Sequence, residues 1–177
     1  REPIMNLSGL LALLDGEPAY RELVSGLQKE DEPSGPGASL FESLGVVPPA
    51  RPYLLAALYR QLCRPMVLLT SRADRVGQWT DQLQVWTHSG SVMSFPEPDA
   101  LPFERVPWSR ETISDRLAAL TVLMQWRDGG QGEEPPLIVA SARAFAHHTL
   151  PIREFRLGLR EYQQGQAIDL QRTLEHW

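Results

Sequence analysis

The sequence predicts a doubly wound α/β domain, a mainly parallel sheet with flanking helices, followed by the start of a second small α+β domain. Three observations carry that expectation. The run LIVA at 137–140 is continuously apolar, as suits a strand buried on both faces of a parallel sheet. Short apolar runs alternate with helical patterns along the chain, the order that builds strand–helix–strand units with right-handed crossovers. A proline-rich loop at 45–52 separates an apolar stretch from a helical one, the place where a phosphate-binding loop stands in nucleotide-binding domains.

The totals set bounds. The chain has 177 residues, 42% of them hydrophobic, and a net charge of −5, enough for one full core and part of a second domain. With no basic run, strong nucleic-acid binding by this piece is not expected. A single cysteine, Cys63, excludes a disulfide framework and a cysteine-based zinc site. No apolar run approaches the ~20 residues that span a bilayer, and residues 7–14 lack the flanks of a signal peptide. No membrane partner and a cytoplasmic location are therefore expected. An arginine at the start and a helical pattern running to Trp177 suggest a piece of a longer protein.

In chain order, Leu7, Leu10, Leu11, Leu14, Tyr20, Leu23, Val24 and Leu27 fall at helical spacing, broken at Gly16–Pro18. Residues 1–28 therefore read as an N-terminal helical arm that packs on the core. Residues 29–38, KEDEPSGPGA, read as a flexible linker. The α/β domain is expected over 39–150. Its first unit has a strand running into Gly45, a helix over about Tyr53–Leu62 and a strand at Val67–Thr70. That helix should bury Leu54, Leu55, Leu58 and Leu62. Val76, Trp79, Leu83 and Trp86 mark the next helix, capped by Ser71 or Asp74, and 91–95 the next strand. Residues 96–110 form a long loop. Glu111–Trp126 is an amphipathic helix with the stripe Ile113, Leu117, Leu120 and Met124, its ends suited to the helix dipole by Glu111, Asp115 and Arg127. The second domain, 151–177, should open with a strand at Phe155–Leu159, a turn at Gln163–Gln166 and a helix from Leu170.

The motif G-x-x-x-x-G-K-[ST], laid from Gly45, meets Ala50 at the second glycine, Arg51 at the lysine and Pro52 at the hydroxyl residue. Pro48, Pro49 and Pro52 offer no N–H to a phosphate, and Pro52 no oxygen to magnesium. Arg51 is a planar fork, not a compact ammonium. Gly45, Ala50, Arg51 and Pro52 are thus vestigial positions of a phosphate site or those of an ordinary strand-to-helix turn. No cofactor and no metal are expected in this piece. His147 and His148 are adjacent and point apart, as surface or loop histidines. Ser141 lacks a G-x-S-x-G setting. Asp74 and Asp81 share a solvated helical face, and Glu133–Glu134 lies in a glycine turn. No catalytic residues are assigned. Phe103, Arg105, Trp108 and Arg110 interleave aromatics with arginines, which suits either a partner surface that stacks bases or anchors protein, or a loop tucked into the core.

Several stretches together resemble one family. DALPFERVPWSRETISDRLAALTVL, 99–123, is similar to a signature of bacterial transcription-repair coupling factors (Mfd): an acidic residue, L-P-[YF]-[DE], a spacer and R-L-x-x-L. Asp99, Leu101, Pro102, Phe103, Glu104, Arg116, Leu117 and Leu120 fall on it. GVVPPARPYLLAALYRQLCRPMVLLT resembles that family's degenerate P-loop region, PPLIVASARAFAHHTLPIREF the strand leading out of its first domain, and LREYQQGQAIDLQRTLEHW the start of the next. The resemblance implies a RecA-like, UvrB-like homology module that lacks a working ATPase site and recruits UvrA through its second domain, mostly absent here. It implies that RNA polymerase, DNA, ATP and magnesium are engaged by other domains of the parent, an ATP-driven DNA translocase acting in nucleotide excision repair. UvrB itself has an intact P-loop and a DNA-clamping hairpin where this chain has only the short loop 99–110. The rival readings are a stand-alone α/β nucleotide-binding enzyme and a nucleic-acid binder working through 103–110.

Overall fold

The computed structural model describes residues 6–29, 44–87, 90–100, 107–129, 134–160 and 164–171. The chain divides into two compact units, 1–147 and 148–177.

The first unit is built on a three-stranded parallel sheet of β1 (Met66–Thr70), β2 (Val92–Phe95) and β3 (Leu137–Ser141), in the order β1-β3-β2. The LIVA run is the central strand, and every residue of β3 is buried. Met66 stands opposite Leu137 in one ladder and Val92 opposite the same residue in the other. Because side chains alternate across a strand, β3 feeds two cores. Leu137 and Val139 join one with α1 (Pro18–Lys29), α2 (Arg51–Leu62) and α3 (Asp74–Gln84). Ile138 and Ala140 join the other with α4 (Arg110–Arg127) and α5 (Ala142–Ala146). The chain steps from β1 over to β2 and back to the centre, and that reversal sends α3 and α4 to opposite faces.

The N-terminal segment forms a 3-10 helix, Ser8–Gly16, and then α1, separated at Glu17. Leu11, Tyr20 and Val24 are its fully buried residues, whereas Leu10 is half exposed. The expected linker 29–38 starts too early, since Lys29 closes α1; its residues 30–38, and residues 39–43 of the expected first strand, lie outside the described residues. Leu44–Val47 are not strand, and a 3-10 turn, Pro48–Ala50, leads into α2.

Four further expectations need correction. In α2 the fully enclosed residues are Ala56 and Ala57, with Leu58 and Tyr59, while Leu54, Leu55 and Leu62 are only partly buried. Small residues let this helix approach its neighbours closely, so the leucines flank the contact. Neither Ser71 nor Asp74 caps α3, whose N-cap is Ala73 without a side-chain bond. Asp74 instead pairs with Arg72 at 2.8 Å. In α4, Leu120 and Met124 pack inward as expected, but Ile113 and Leu117 are 40% and 44% exposed. Thr112 and Arg116, one residue and so ~100° round the helix, are buried in their place.

The fourth correction concerns the second unit. Phe155–Leu159 is not a strand: Ile152–Gly158 form a helix, α6, with Pro151 at its N-cap and Phe155 buried. Three alternating apolar residues are too few to distinguish the two periods, and a proline at the helix start decides for the helix. A turn at Gln164–Gly165 follows, with Gly165 at φ +86°.

Candidate functional site

Ligands of open parallel sheets bind outside the carboxyl ends of the strands, where neighbouring crossovers leave on opposite faces. Here that point lies between β1 and β3, where Thr70 and Ser141 stand opposite each other. The loops after the three strands supply Ser71–Ala73, Pro96–Asp99 with Pro107–Ser109, and the start of α5.

The polar groups at this edge bind one another. The Thr70 hydroxyl donates to the Arg72 carbonyl at 2.8 Å. Ser141, 1% exposed, donates from Oγ to Glu97 Oε1 at 2.6 Å and accepts from the Ala144 N–H at 3.0 Å, capping α5. Arg143 Nη1 stands 3.7 Å from the other Glu97 oxygen. A serine buried this deeply, its oxygen engaged as both donor and acceptor, is a latch between the loop after β2 and the start of α5. It is not a nucleophile elbow.

A second latch holds the other end of that loop. Ser109 caps α4 by accepting from the Thr112 N–H at 3.1 Å. Both Asp99 carboxylate oxygens accept from the Ser109 N–H, at 3.1 and 2.9 Å. The Ser109 side chain and N–H together hold that carboxyl below its ordinary range, since hydrogen bonds favour the charged form. Arg116 completes the arrangement. It is 4% exposed, its Nη1 donates to the Pro96 carbonyl at 2.8 Å, and its guanidinium lies 4.0 Å from the Phe95 ring centroid and 5.5 Å from that of Trp108. Its Nη2 is buried without a hydrogen-bond partner among the described residues, and burial lowers its pKa. Trp108 also meets His147 edge-on, at 5.4 Å.

Trp108 is therefore half-buried between Arg116 and His147, and Arg110 is the exposed first residue of α4. Phe103 and Arg105 lie outside the described residues. His147 and His148 are both exposed, as are Asp74 and Asp81. Glu97 and the burial of Arg116 escaped the sequence reading. Glu97 and Ser141 are 44 positions apart, and no local pattern connects them.

The positions Gly45, Ala50, Arg51 and Pro52, on which the phosphate motif is laid, lie elsewhere in the unit, on exposed coil, the 3-10 turn and the first turn of α2. Pro48, Pro49 and Pro52 have no N–H, and those of Val46, Ala50 and Arg51 donate to Leu44, Val47 and Pro48. Arg51 Nε donates to the Val46 carbonyl at 3.1 Å. Tyr53, just beyond, packs edge-on against Trp86 at 5.0 Å.

Away from the sheet's carboxyl edge, a cavity of about 190 Å³ opens between α2 and the start of β3, lined by Leu11, Ala56, Tyr59, Cys63, Trp86 and Pro135 among others. The Tyr59 hydroxyl donates to the Pro135 carbonyl there, and burial raises its pKa. Among the described residues no group of three His, Cys, Asp or Glu is placed to hold a metal ion, and no helix is long and apolar enough to cross a membrane. Compared with known proteins, the chain matches no protein-family model and no curated protein.

Proposed function

We propose that this chain is a non-catalytic, UvrB-like N-terminal module of a transcription-repair coupling factor, with a degenerate RecA-like phosphate loop at 45–52. In this reading it acts in transcription-coupled excision repair by presenting the second domain, through which UvrA is recruited. DNA translocation and the displacement of RNA polymerase are left to ATP-driven domains of the parent.

The observation that carries the proposal is the internal use of the loop before α2. A phosphate cradle needs several inward, unspent backbone N–H groups. From Val46 to Pro52 three residues are prolines and three donate to carbonyls of the same loop. The signature stretch offers independent support. Asp99 and Arg116, two of the positions on which the family resemblance rests, hold the loop after β2 to α4. A structural duty of that kind gives a reason for those residue types at that spacing. The stand-alone nucleotide-binding enzyme would require the bonds of Ala50 and Arg51 to break before a phosphate could dock.

Two calorimetric titrations test the proposal. Magnesium–ATP up to ~1 mM, an affinity floor of ~4 kcal/mol, should give no saturable heat. UvrA should bind the chain extended through its complete second domain. Micromolar binding of ATP, or failure of the extended chain to bind UvrA, would contradict the proposal.

A further inference from the structure

Segments distant in sequence wall the cavity of about 190 Å³ beside α2. Ala56, Tyr59 and Cys63 recur at steps of three and four residues and so share one face of that helix. Leu11 enters from the N-terminal 3-10 helix, Trp86 from the turn after α3 and Pro135 from the segment before β3. Hydrogen bonds tie each of these segments to another. The Leu7 N–H donates to the Val85 carbonyl at 2.8 Å and Asn6 Nδ2 to that of Thr87 at 3.2 Å. The Tyr53 hydroxyl donates to the Leu10 carbonyl at 2.8 Å, and the Tyr59 hydroxyl to that of Pro135. Trp86 is braced edge-on by Tyr53. The fold itself therefore sets these walls, the preorganisation that spares a ligand the cost of ordering its site.

We propose that this cavity binds a small neutral aromatic compound of one ring or two fused rings. The chemistry of the walls selects that class. Leu11, Ala56 and Tyr59 are buried, and the polar groups among the lining residues are engaged. The Tyr59 hydroxyl is spent on Pro135, Thr87 Oγ1 donates to the Leu83 carbonyl at 3.0 Å, and Arg60 pairs with Asp15 at 3.1 Å. A charged or strongly polar guest would lose its hydration without replacement, whereas an apolar one gains by leaving water. The rings of Tyr59 and Trp86 and the sulfur of Cys63 favour an aromatic guest over an aliphatic one. Volume sets the size: an apolar cavity of about 150 Å³ holds benzene, and drug-sized ligands need roughly 300 Å³ or more. This inference is independent of the repair reading, and either can fail alone.

Indole is the probe, titrated into the 177-residue chain and followed by amide-resolved NMR. It should bind saturably with a Kd between ~10 µM and ~1 mM. The resonances of Leu11, Ala56, Tyr59 and Trp86 should move, and those of α5, on the other face of the sheet, should not. Ala56→Leu puts an isobutyl group into the cavity and should weaken binding at least ~10-fold while melting no lower than the parent chain. A block without substitution uses the chain's single cysteine, whose thiol is exposed. The Cys63 thiolate attacks the thio sulfur of benzyl methanethiosulfonate, forming a benzyl disulfide as methanesulfinate leaves. The tethered ring should weaken indole binding at least ~10-fold, and the methyl disulfide made in the same way should not. Absence of saturable binding up to ~5 mM indole, shifts centred elsewhere, or full affinity in a folded Ala56→Leu or in the benzyl adduct would each overturn the proposal.

Discussion

Two loops of this molecule lead into long helices, and they are held by different means. The loop before α2 is held mainly by its own backbone: prolines fix φ, and three N–H groups close onto carbonyls a few residues away. The loop before α4 is held by side chains reaching across sequence, with Asp99 and Ser109 ten positions apart, Arg116 and Pro96 twenty, and Ser141 and Glu97 forty-four. A backbone-held loop tolerates side-chain exchange, whereas a side-chain-held loop needs particular residue types. That difference decides which positions are constrained by residue type: Asp99, Ser109 and Arg116 at the loop before α4, and chiefly the prolines at 48–52 before α2.

The largest expected effect comes from breaking the side-chain latch at its buried member. Arg116→Ala removes the bond to Pro96 and the packing between Phe95 and Trp108, and should cost ~2–4 kcal/mol in urea unfolding. Arg116→Met sharpens the point. It keeps the volume and removes a buried cation whose Nη2 lacks a partner among the described residues, so it should recover at least half of that loss. A methionine variant as unstable as the alanine would mean that the single bond to Pro96 dominates.

Next is Ser141→Ala, which loses the cap of α5 and the partner of Glu97 together and should cost ~1–2 kcal/mol. Ser109→Ala, which loses one cap on an exposed helix start, should cost ~1 kcal/mol. Asp99→Asn should also lower the melting temperature, with a pH dependence whose sign is fixed. The folded pKa of Asp99 lies below its unfolded value, so its contribution is present above the unfolded pKa and is lost as pH falls through the folded one. The gap between parent and variant should therefore be full at neutral pH and close below ~pH 4. The smallest effect should come from the other loop: Pro48→Ala and Pro49→Ala should each change stability by less than ~1 kcal/mol, through the unfolded chain.

The same contrast explains what was legible in the sequence. The LIVA strand was readable because burial on both faces writes itself into consecutive residues. The break at Gly16–Pro18 and the proline loss of N–H groups at 48–52 are equally local. The rotation of α4 was not readable, since Ile113 and Leu117 satisfy a helical stripe as well as the residues that pack inward. Only the Pro96 carbonyl and the Phe95 ring, brought in by β2, make room for Arg116 on that face. The alanine contact of α2 depends on neighbouring helices, and the helix at Ile152–Gly158 was masked by a short alternation. Glu97 carried no signal, because its partner Ser141 reaches it only after the whole β2–α4–β3 crossover has formed.

Amide hydrogen exchange in the parent chain and in Asp99→Asn tests the contrast most directly. The account predicts that the Ser109 and Thr112 amides lose protection in the variant, while those of Ala50 and Arg51 exchange as before. Equal loss in both loops, or no change at Ser109, would contradict it.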